Sequence, residues 1–87
     1  MPRYAIYPIR YDRREVAEAP SIAAMRSMLW GHGSCRVFRI SRNGTETYVG
    51  RMETDGSYYK WFTPSGKWYY MGNRGQLTDY YGGRVRY

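Results

Sequence analysis

Aromatic and cationic side chains are concentrated in one stretch of the sequence, YYKWFTPSGKWYY at residues 58–70, with seven rings in thirteen positions. Rings stack on nucleobases or fill a core, and cations beside them bind phosphate. The chain has 14 basic and 7 acidic residues, for a net charge of +7, and twelve of the basic residues are arginine. Arginine bridges phosphate oxygens and also stacks on rings. This composition fits a polyanionic partner such as nucleic acid, or a basic surface that is simply solvated.

Few residues have the chemistry that catalysis or metal binding requires. His32 and Cys35 are the single histidine and the single cysteine, so one chain cannot supply a four-ligand zinc site of nitrogen and sulfur donors. They lie at a predicted helix-to-strand junction, where a catalytic Cys–His pair is not expected. The segment GNRG, residues 72–75, lacks the helix and the lysine of a phosphate-binding loop. We therefore predict that the protein is not an enzyme and binds no metal or cofactor.

The cysteine content and the N-terminal segment indicate the setting in which the protein acts. A single cysteine forms no internal disulfide, which is typical of a reducing compartment. Residues 1–15 begin with basic side chains but have no continuous apolar run of the kind that a secretion signal needs. No stretch approaches the roughly 18 apolar residues of a membrane span. We expect a cytoplasmic protein without a membrane partner.

The N-terminal part of the chain predicts a strand and the start of a helix. Residues 3–9 are rich in aromatic and branched side chains, as in a strand. Pro8 ends this strand or keeps it at a sheet edge, because proline cannot donate a ladder hydrogen bond. Asp12 and Glu15 have the spacing of a helix cap, and Pro20 interrupts the short helix that would follow.

A stronger helix is predicted at residues 20–30. Pro20 or Ser21 begins it and Gly31 ends it. Its apolar side chains recur at helical spacing and are expected to pack on a sheet: Ile22, Met25, Met28 and Leu29.

From residue 34 the pattern changes to that of strands separated by turns. Asn43-Gly44 and Asp55-Gly56 are typical of two-residue hairpin turns, and residues 64–66 suit a three-residue loop. Residues 34–71 are therefore predicted to form a four-stranded antiparallel meander. Residues 72–87, which are glycine-rich and basic, form either a further hairpin or a tail.

These elements predict an α+β fold class for residues 1–87 as a single domain. The expected order is β-α-β-β-β-β, with the first strand at the sheet edge and the helix packed on one face of the meander.

The turns fix the strand register, and the register sorts the side chains onto two faces. One predicted face is almost uncharged and is expected to receive the helix; it carries Cys35, Val37, Tyr48, Gly50, Met52, Tyr59, Trp61, Tyr69 and Met71, with Arg39 as its central charge. The other predicted face mixes rings with cations; it carries Arg36, Phe38, Ile40, Arg42, Val49, Arg51, Tyr58, Lys60, Phe62, Trp68 and Tyr70.

The mixed face is the candidate binding site. Open sheet surfaces of rings and cations bind single-stranded DNA or RNA in several folds. Two alternatives stay open: the face binds a protein, as in an adaptor or inhibitor encoded by a phage or mobile element, or it is a second small core covered by one end of the chain. The predicted contact residues are Arg36, Phe38, Arg42, Arg51, Tyr58, Lys60, Trp68 and Tyr70.

One segment resembles a known repeat. KWFTPSGKWYYMGNRGQL, residues 60–77, is similar to a single copy of the aromatic repeat of choline-binding and related cell-wall or glucan-binding modules. In that family, repeats stack into a solenoid, and rings of neighbouring repeats form cages for choline or contact sugars. The resemblance implies cell-wall or carbohydrate binding, through a site that needs more than the one copy present here. The matching positions are Trp61, Gly66, Trp68, Tyr69, Tyr70, Gly75 and Leu77.

Overall fold

The computed structural model describes residues 1–86. The elements are the strands β1 (Arg3–Pro8), β2 (Glu15–Glu18), β3 (Cys35–Ile40), β4 (Glu46–Thr54), β5 (Tyr59–Phe62), β6 (Trp68–Met71), β7 (Leu77–Thr78) and β8 (Arg84–Val85), and the helix α1 (Ile22–Met28). The strands form one antiparallel sheet in the order β2-β1-β3-β4-β5-β6-β7-β8. Within these residues, no helix has the length and the apolar surface that crossing a bilayer requires.

The predicted fold class is wrong. An α+β domain with a four-stranded meander was expected, whereas the sheet has eight strands and the helix has seven residues. β2 adds an edge beyond β1, and β7 and β8 extend the meander on the other side. β7 and β8 lie in residues 72–87, the segment that was predicted to form either a further hairpin or a tail. Tyr87, the last residue of that segment, lies outside the described residues.

β2 lies where the start of a helix was predicted. It pairs antiparallel with β1 along its whole length. The chain between Asp12 and Pro20 is too short for a helix that is stable without tertiary contacts, whereas pairing with β1 satisfies backbone groups that would otherwise form a bare sheet edge. β1 ends at Pro8 and is paired on both sides, so it is not the edge strand that was predicted.

The loop between β3 and β4 has three residues instead of the predicted two-residue turn. The amide of Ser41 donates to the carbonyl of Thr45 at 2.9 Å, and the amide of Gly44 donates to the carbonyl of Ser41 at 3.0 Å. Gly44 has a φ of 88°, whereas Asn43 keeps a negative φ. This is a type I turn followed by a glycine in the left-handed region. Oδ1 of Asn43 accepts from the amide of Thr45 at 3.1 Å, which holds the turn in this form.

A β-bulge in β4 restores the predicted pairing beyond this loop. Phe38 lies opposite Tyr48, whereas Val37 lies opposite Gly50, so β4 contains one extra residue between the two pairs. The extra loop residue moves Tyr48 from the predicted uncharged face to the face of Phe38, and Val49, which was predicted on the mixed face, packs against the core. Gly50 has a φ of 146°, and a Cβ atom there would lie 2.4 Å from Cζ2 of Trp61. Only glycine fits at this position while the indole occupies that space.

The Asp55-Gly56 turn is also longer than predicted. Four residues form the loop, which shifts the pairing of β4 with β5 so that Met52 lies opposite Trp61 instead of Tyr59. The shift is by two residues, and side chains alternate with a period of two, so each residue keeps its predicted face. The loop at residues 64–66 has the predicted length and register.

The core lies between α1 and one face of the sheet. Ser21 begins the helix, because its Oγ accepts from the amide of Ala24 at 3.1 Å. The buried cluster consists of Tyr4, Ile6, Ala19, Met25, Leu29, Cys35, Val37, Met52, Trp61, Tyr69, Met71 and Leu77.

The helical segment buries most of the predicted side chains and one that was not predicted. Three of the four predicted side chains pack in the core, but Met28 is 55% exposed, and Arg26 is 2% exposed. Nε of Arg26 donates to the carbonyl of Gly75 at 2.9 Å, and its guanidinium lies 5.5 Å from the centroid of the Trp61 ring. Burial lowers the pKa of Arg26 to about 10, which still leaves it charged at neutral pH. This buried cation joins α1 to the loop between β6 and β7.

Candidate functional site

The side of the sheet opposite α1, called here the outer face, carries mixed rings and cations. Tyr58 and Trp68 on this side are 46% and 36% exposed. The outer face is therefore open over β5 and β6 and does not form a second core there. Two rows of side chains cross β4, β5 and β6: Arg51, Phe62 and Trp68 in one row, and Glu53, Lys60 and Tyr70 in the next.

The cations of these two rows lie against rings. The ammonium of Lys60 is 4.5 Å from the centroid of the Trp68 ring and 5.3 Å from that of the Tyr58 ring. The guanidinium of Arg51 is 4.0 Å from the centroid of the Phe62 ring. Contacts of this kind stabilise by about 0.5–1 kcal/mol at exposed sites. They orient the cations, but they are weak enough for an anion or a base to displace them.

Tyr58, Trp68 and Tyr70 form a continuous group, the ring cluster. The ring of Tyr70 is at 86° to both neighbours, with its centroid 6.1 Å from that of Tyr58 and 5.1 Å from that of Trp68. Edge-to-face contacts fix the three rings relative to one another. The ring cluster is therefore a preorganised platform at the surface.

Two arginines face each other beside the ring cluster. Arg36 of β3 lies directly opposite Arg51 of β4. Like charges directly opposite each other destabilise a sheet. Nη1 of Arg51 lies 3.2 Å from Oε1 of Glu53, while Arg36 is exposed. A bound anion would relieve the repulsion between the two guanidiniums, which makes them candidate phosphate ligands.

The outer face is more enclosed toward β1. The ring centroid of Phe38 is 5.3 Å from that of Tyr7 and 5.4 Å from that of Tyr48, and all three rings are half-buried. The hydroxyl of Tyr7 donates to Oε1 of Glu46 at 2.5 Å, and Nη2 of Arg14 donates to Oε2 of Glu46 at 2.8 Å. These two hydrogen bonds lower the pKa of Glu46. Phe38 is thus packed among neighbours and is less accessible than the ring cluster.

The structure brings together six of the eight predicted contact residues. Phe38 lies in the enclosed part, and Arg42 lies in the loop between β3 and β4, where it lines a cleft with Arg39 and Thr47. The bridge of Arg14 to Glu46 was missed because the two residues are 32 positions apart and carry no local pattern. The six residues on the open part of the outer face are Arg36, Arg51, Tyr58, Lys60, Trp68 and Tyr70.

His32 and Cys35 do not contact each other as a catalytic pair would. Cys35 is buried, and burial raises the pKa of its thiol to about 12, so it is a poor nucleophile at neutral pH. Nε2 of His32 lies 3.2 Å from Oε2 of Glu15, and Nδ1 lies 2.8 Å from the carbonyl oxygen of Gly33. Within residues 1–86, no three histidine, cysteine or acidic side chains are grouped so as to hold a metal ion.

Comparisons with known proteins give no relative from which a function could be inferred. No protein-family model, no curated protein sequence and no solved structure matches this chain.

Proposed function

We propose that the protein is a small basic module that binds single-stranded DNA or RNA on the open part of the outer face. The observation that carries this proposal is the opposition of Arg36 and Arg51 next to an exposed ring cluster. A sheet gains no stability from two guanidiniums directly opposite each other. Neighbouring strands are about 4.8 Å apart, so both side chains reach the phosphates of one bound strand.

The ring cluster supplies the second half of the interface. Nucleobases stack on Trp68 and Tyr58 with roughly 1–3 kcal/mol per base. Lys60, which lies over both rings in the free protein, moves to a phosphate when a base takes its place. The net charge of +7 adds long-range attraction for a polyanion. A nucleic-acid partner also agrees with the cytoplasmic setting expected from the single cysteine.

The test compares a cation variant with a ring variant. Fluorescence anisotropy of short labelled DNA and RNA strands is measured across a salt series. Arg51→Ala is expected to weaken binding and to reduce the slope of log K against log salt by about 0.7, because one phosphate contact is lost. Trp68→Ala is expected to weaken binding with the slope unchanged, since stacking releases no counterions.

Two results would contradict the proposal. One is the absence of binding at low salt despite the positive charge. The other is tighter binding to duplex than to single strands of the same sequence, because duplex bases cannot stack on the ring cluster.

A protein partner is the second candidate, and a different surface favours it. Tyr80 and Tyr81, in the loop between β7 and β8, are 74% and 92% exposed, with ring centroids 5.4 Å apart. Tyrosine is enriched at protein interfaces. This candidate takes precedence if the anisotropy series shows no binding at low salt.

Carbohydrate binding has weaker support. Of the rings that match the choline-binding repeat, Trp61 and Tyr69 are buried in the core. Only Trp68 and Tyr70 lie on the outer face, which leaves few of the repeat's rings for contact with a sugar.

A further inference from the structure

An open cleft of about 390 Å³ lies on the outer face at the end of the ring cluster. Its volume is within the range of roughly 300–1,000 Å³ that is usual for small-ligand sites. Tyr58 and Lys60 belong both to the cleft and to the cation and ring contacts described above. A strand that stacks on the ring cluster therefore reaches the cleft with an adjacent base. The lining side chains that matter for recognition are Ile9, Arg10, Glu53, Asp55, Tyr58 and Lys60.

We propose that this cleft binds a guanine base. The base comes either from a single strand held on the outer face or from a free guanine nucleotide. For the first source, the inference rests on the function proposed above and specifies a base preference for it.

The two carboxylates of the cleft select the base. Guanine presents two adjacent donors on one edge, N1–H and the 2-amino group, and carboxylate oxygens only accept. The oxygens left for them are Oδ2 of Asp55 and Oε2 of Glu53, because Oδ1 of Asp55 accepts from two loop amides and Oε1 of Glu53 lies 3.2 Å from Nη1 of Arg51. Adenine and cytosine place a ring-nitrogen acceptor beside their amino donor, and thymine and uracil flank one N–H with two carbonyls. A carboxylate repels those acceptors. Glu53 and Asp55 therefore favour guanine over the other bases.

Asp55 is held in place for this role. Its Oδ1 accepts from the amides of Ser57 at 2.8 Å and Tyr58 at 3.3 Å, and Oδ2 lies outside these two bonds. The same hydrogen bonds lower the pKa of Asp55, so the carboxylate is charged at neutral pH. The ring of Tyr58 offers a stacking surface, and Arg10 and Lys60 are cations for the attached phosphate.

The first experiment uses oligothymidine with one central guanine, inosine or adenine, and measures anisotropy as above. The guanine strand is expected to bind about tenfold more tightly than plain oligothymidine, as for one good bidentate contact. Inosine, which lacks the 2-amino group, is expected to lose most of this gain, and adenine all of it.

A matched pair of variants assigns the preference to the cleft. In Asp55→Asn, the amide oxygen still accepts from the two loop amides, but an NH2 group replaces Oδ2. Because this group donates and cannot accept from guanine, the guanine preference should vanish. Asp79→Asn is the control, because Oδ1 of Asp79 accepts from the amides of Tyr81 at 2.9 Å and Gly83 at 2.7 Å in a separate loop. It makes the same charge change and should retain the preference.

Guanosine monophosphate, titrated alone by calorimetry, distinguishes the two sources. Binding of the nucleotide that Asp55→Asn abolishes, without binding of any strand, supports the cleft and overturns the single-strand function. Strands that bind without a guanine preference, together with no binding of the nucleotide, overturn the guanine inference and leave the single-strand function standing. A preference that survives in Asp55→Asn, or that both variants lose, also overturns the inference. No binding of either probe overturns both proposals.

Discussion

At the scale of single residues, Trp61 and Trp68 carry the difference between the two faces of the sheet. Trp61 is 1% exposed in the core, and Trp68 lies on the outer face with contacts to Lys60 and Tyr70. We expect Trp61→Ala to lower the free energy of unfolding by about 3–5 kcal/mol. Trp68→Ala should lower it by only about 1 kcal/mol, because it loses one cation–π and one edge contact. Urea denaturation of both variants measures this, and equal losses would show that the outer face is covered.

Cys35 provides a second residue-level prediction. Its folded pKa of about 12 lies above the pKa of roughly 8.5 of an exposed thiol. The unfolded chain therefore loses this proton first, so the contribution of Cys35 to stability is present below about pH 8.5 and decreases at higher pH. At pH 8, iodoacetamide should leave the native thiol unmodified and alkylate it in urea. Rapid labelling of the native protein, followed by mass spectrometry, would contradict its burial.

At the scale of elements, the bulge in β4 places Gly50 directly against the ring of Trp61 in the core. Gly50→Ala would place a methyl group against the Trp61 ring at a φ that side chains rarely adopt. We expect a loss of about 2–4 kcal/mol in the free energy of unfolding, from strain and overpacking together. Gly33→Ala is the control, because nothing lies within 4 Å of a Cβ at Gly33. A comparable loss in the control would mean that the bulge is not the cause.

The hairpin sequences predicted which side chains share a face better than they predicted the loops. Asn43-Gly44 is compatible with a two-residue turn and with the three-residue loop that forms, since both need a glycine at positive φ. The longer loop would have exchanged the faces of β4, but the bulge before Gly50 compensates beyond Tyr48. The predicted faces therefore hold where the ring cluster lies and are wrong at Tyr48 and at Val49, the bulged residue, which packs against the core.

The size of the sheet was not predictable from local patterns. β2 is four residues long, and β7 and β8 are two residues each, too short for an alternation of side chains to stand out. These strands exist because neighbouring strands offer unpaired backbone groups. The burial of Arg26 was missed for a related reason, since its partners, Gly75 and Trp61, come from distant parts of the chain.

At the scale of the whole molecule, the question is whether nucleic-acid binding would come from the net charge or from the arrangement on the outer face. A charge of +7 attracts polyanions from any direction. The proposed interface instead assigns the contacts to a few residues. Two double variants with the same charge change separate these effects.

The first double variant, Arg36→Gln with Arg51→Gln, removes the opposed pair, and the second, Arg74→Gln with Arg86→Gln, removes two exposed cations elsewhere. Arg74 lies in the loop between β6 and β7, and Arg86 lines a cleft beside α1. For single strands, the first variant should reduce the salt slope by about 1.4, which is two phosphate contacts. The second should leave the slope nearly unchanged. Removing like charges that face each other relieves repulsion, but the first variant also loses the contacts of Arg51 with Phe62 and Glu53. Its free energy of unfolding in urea should therefore stay within about 1 kcal/mol of that of the natural protein. Equal changes of slope in the two variants would mean that overall charge, and not the outer face, directs binding.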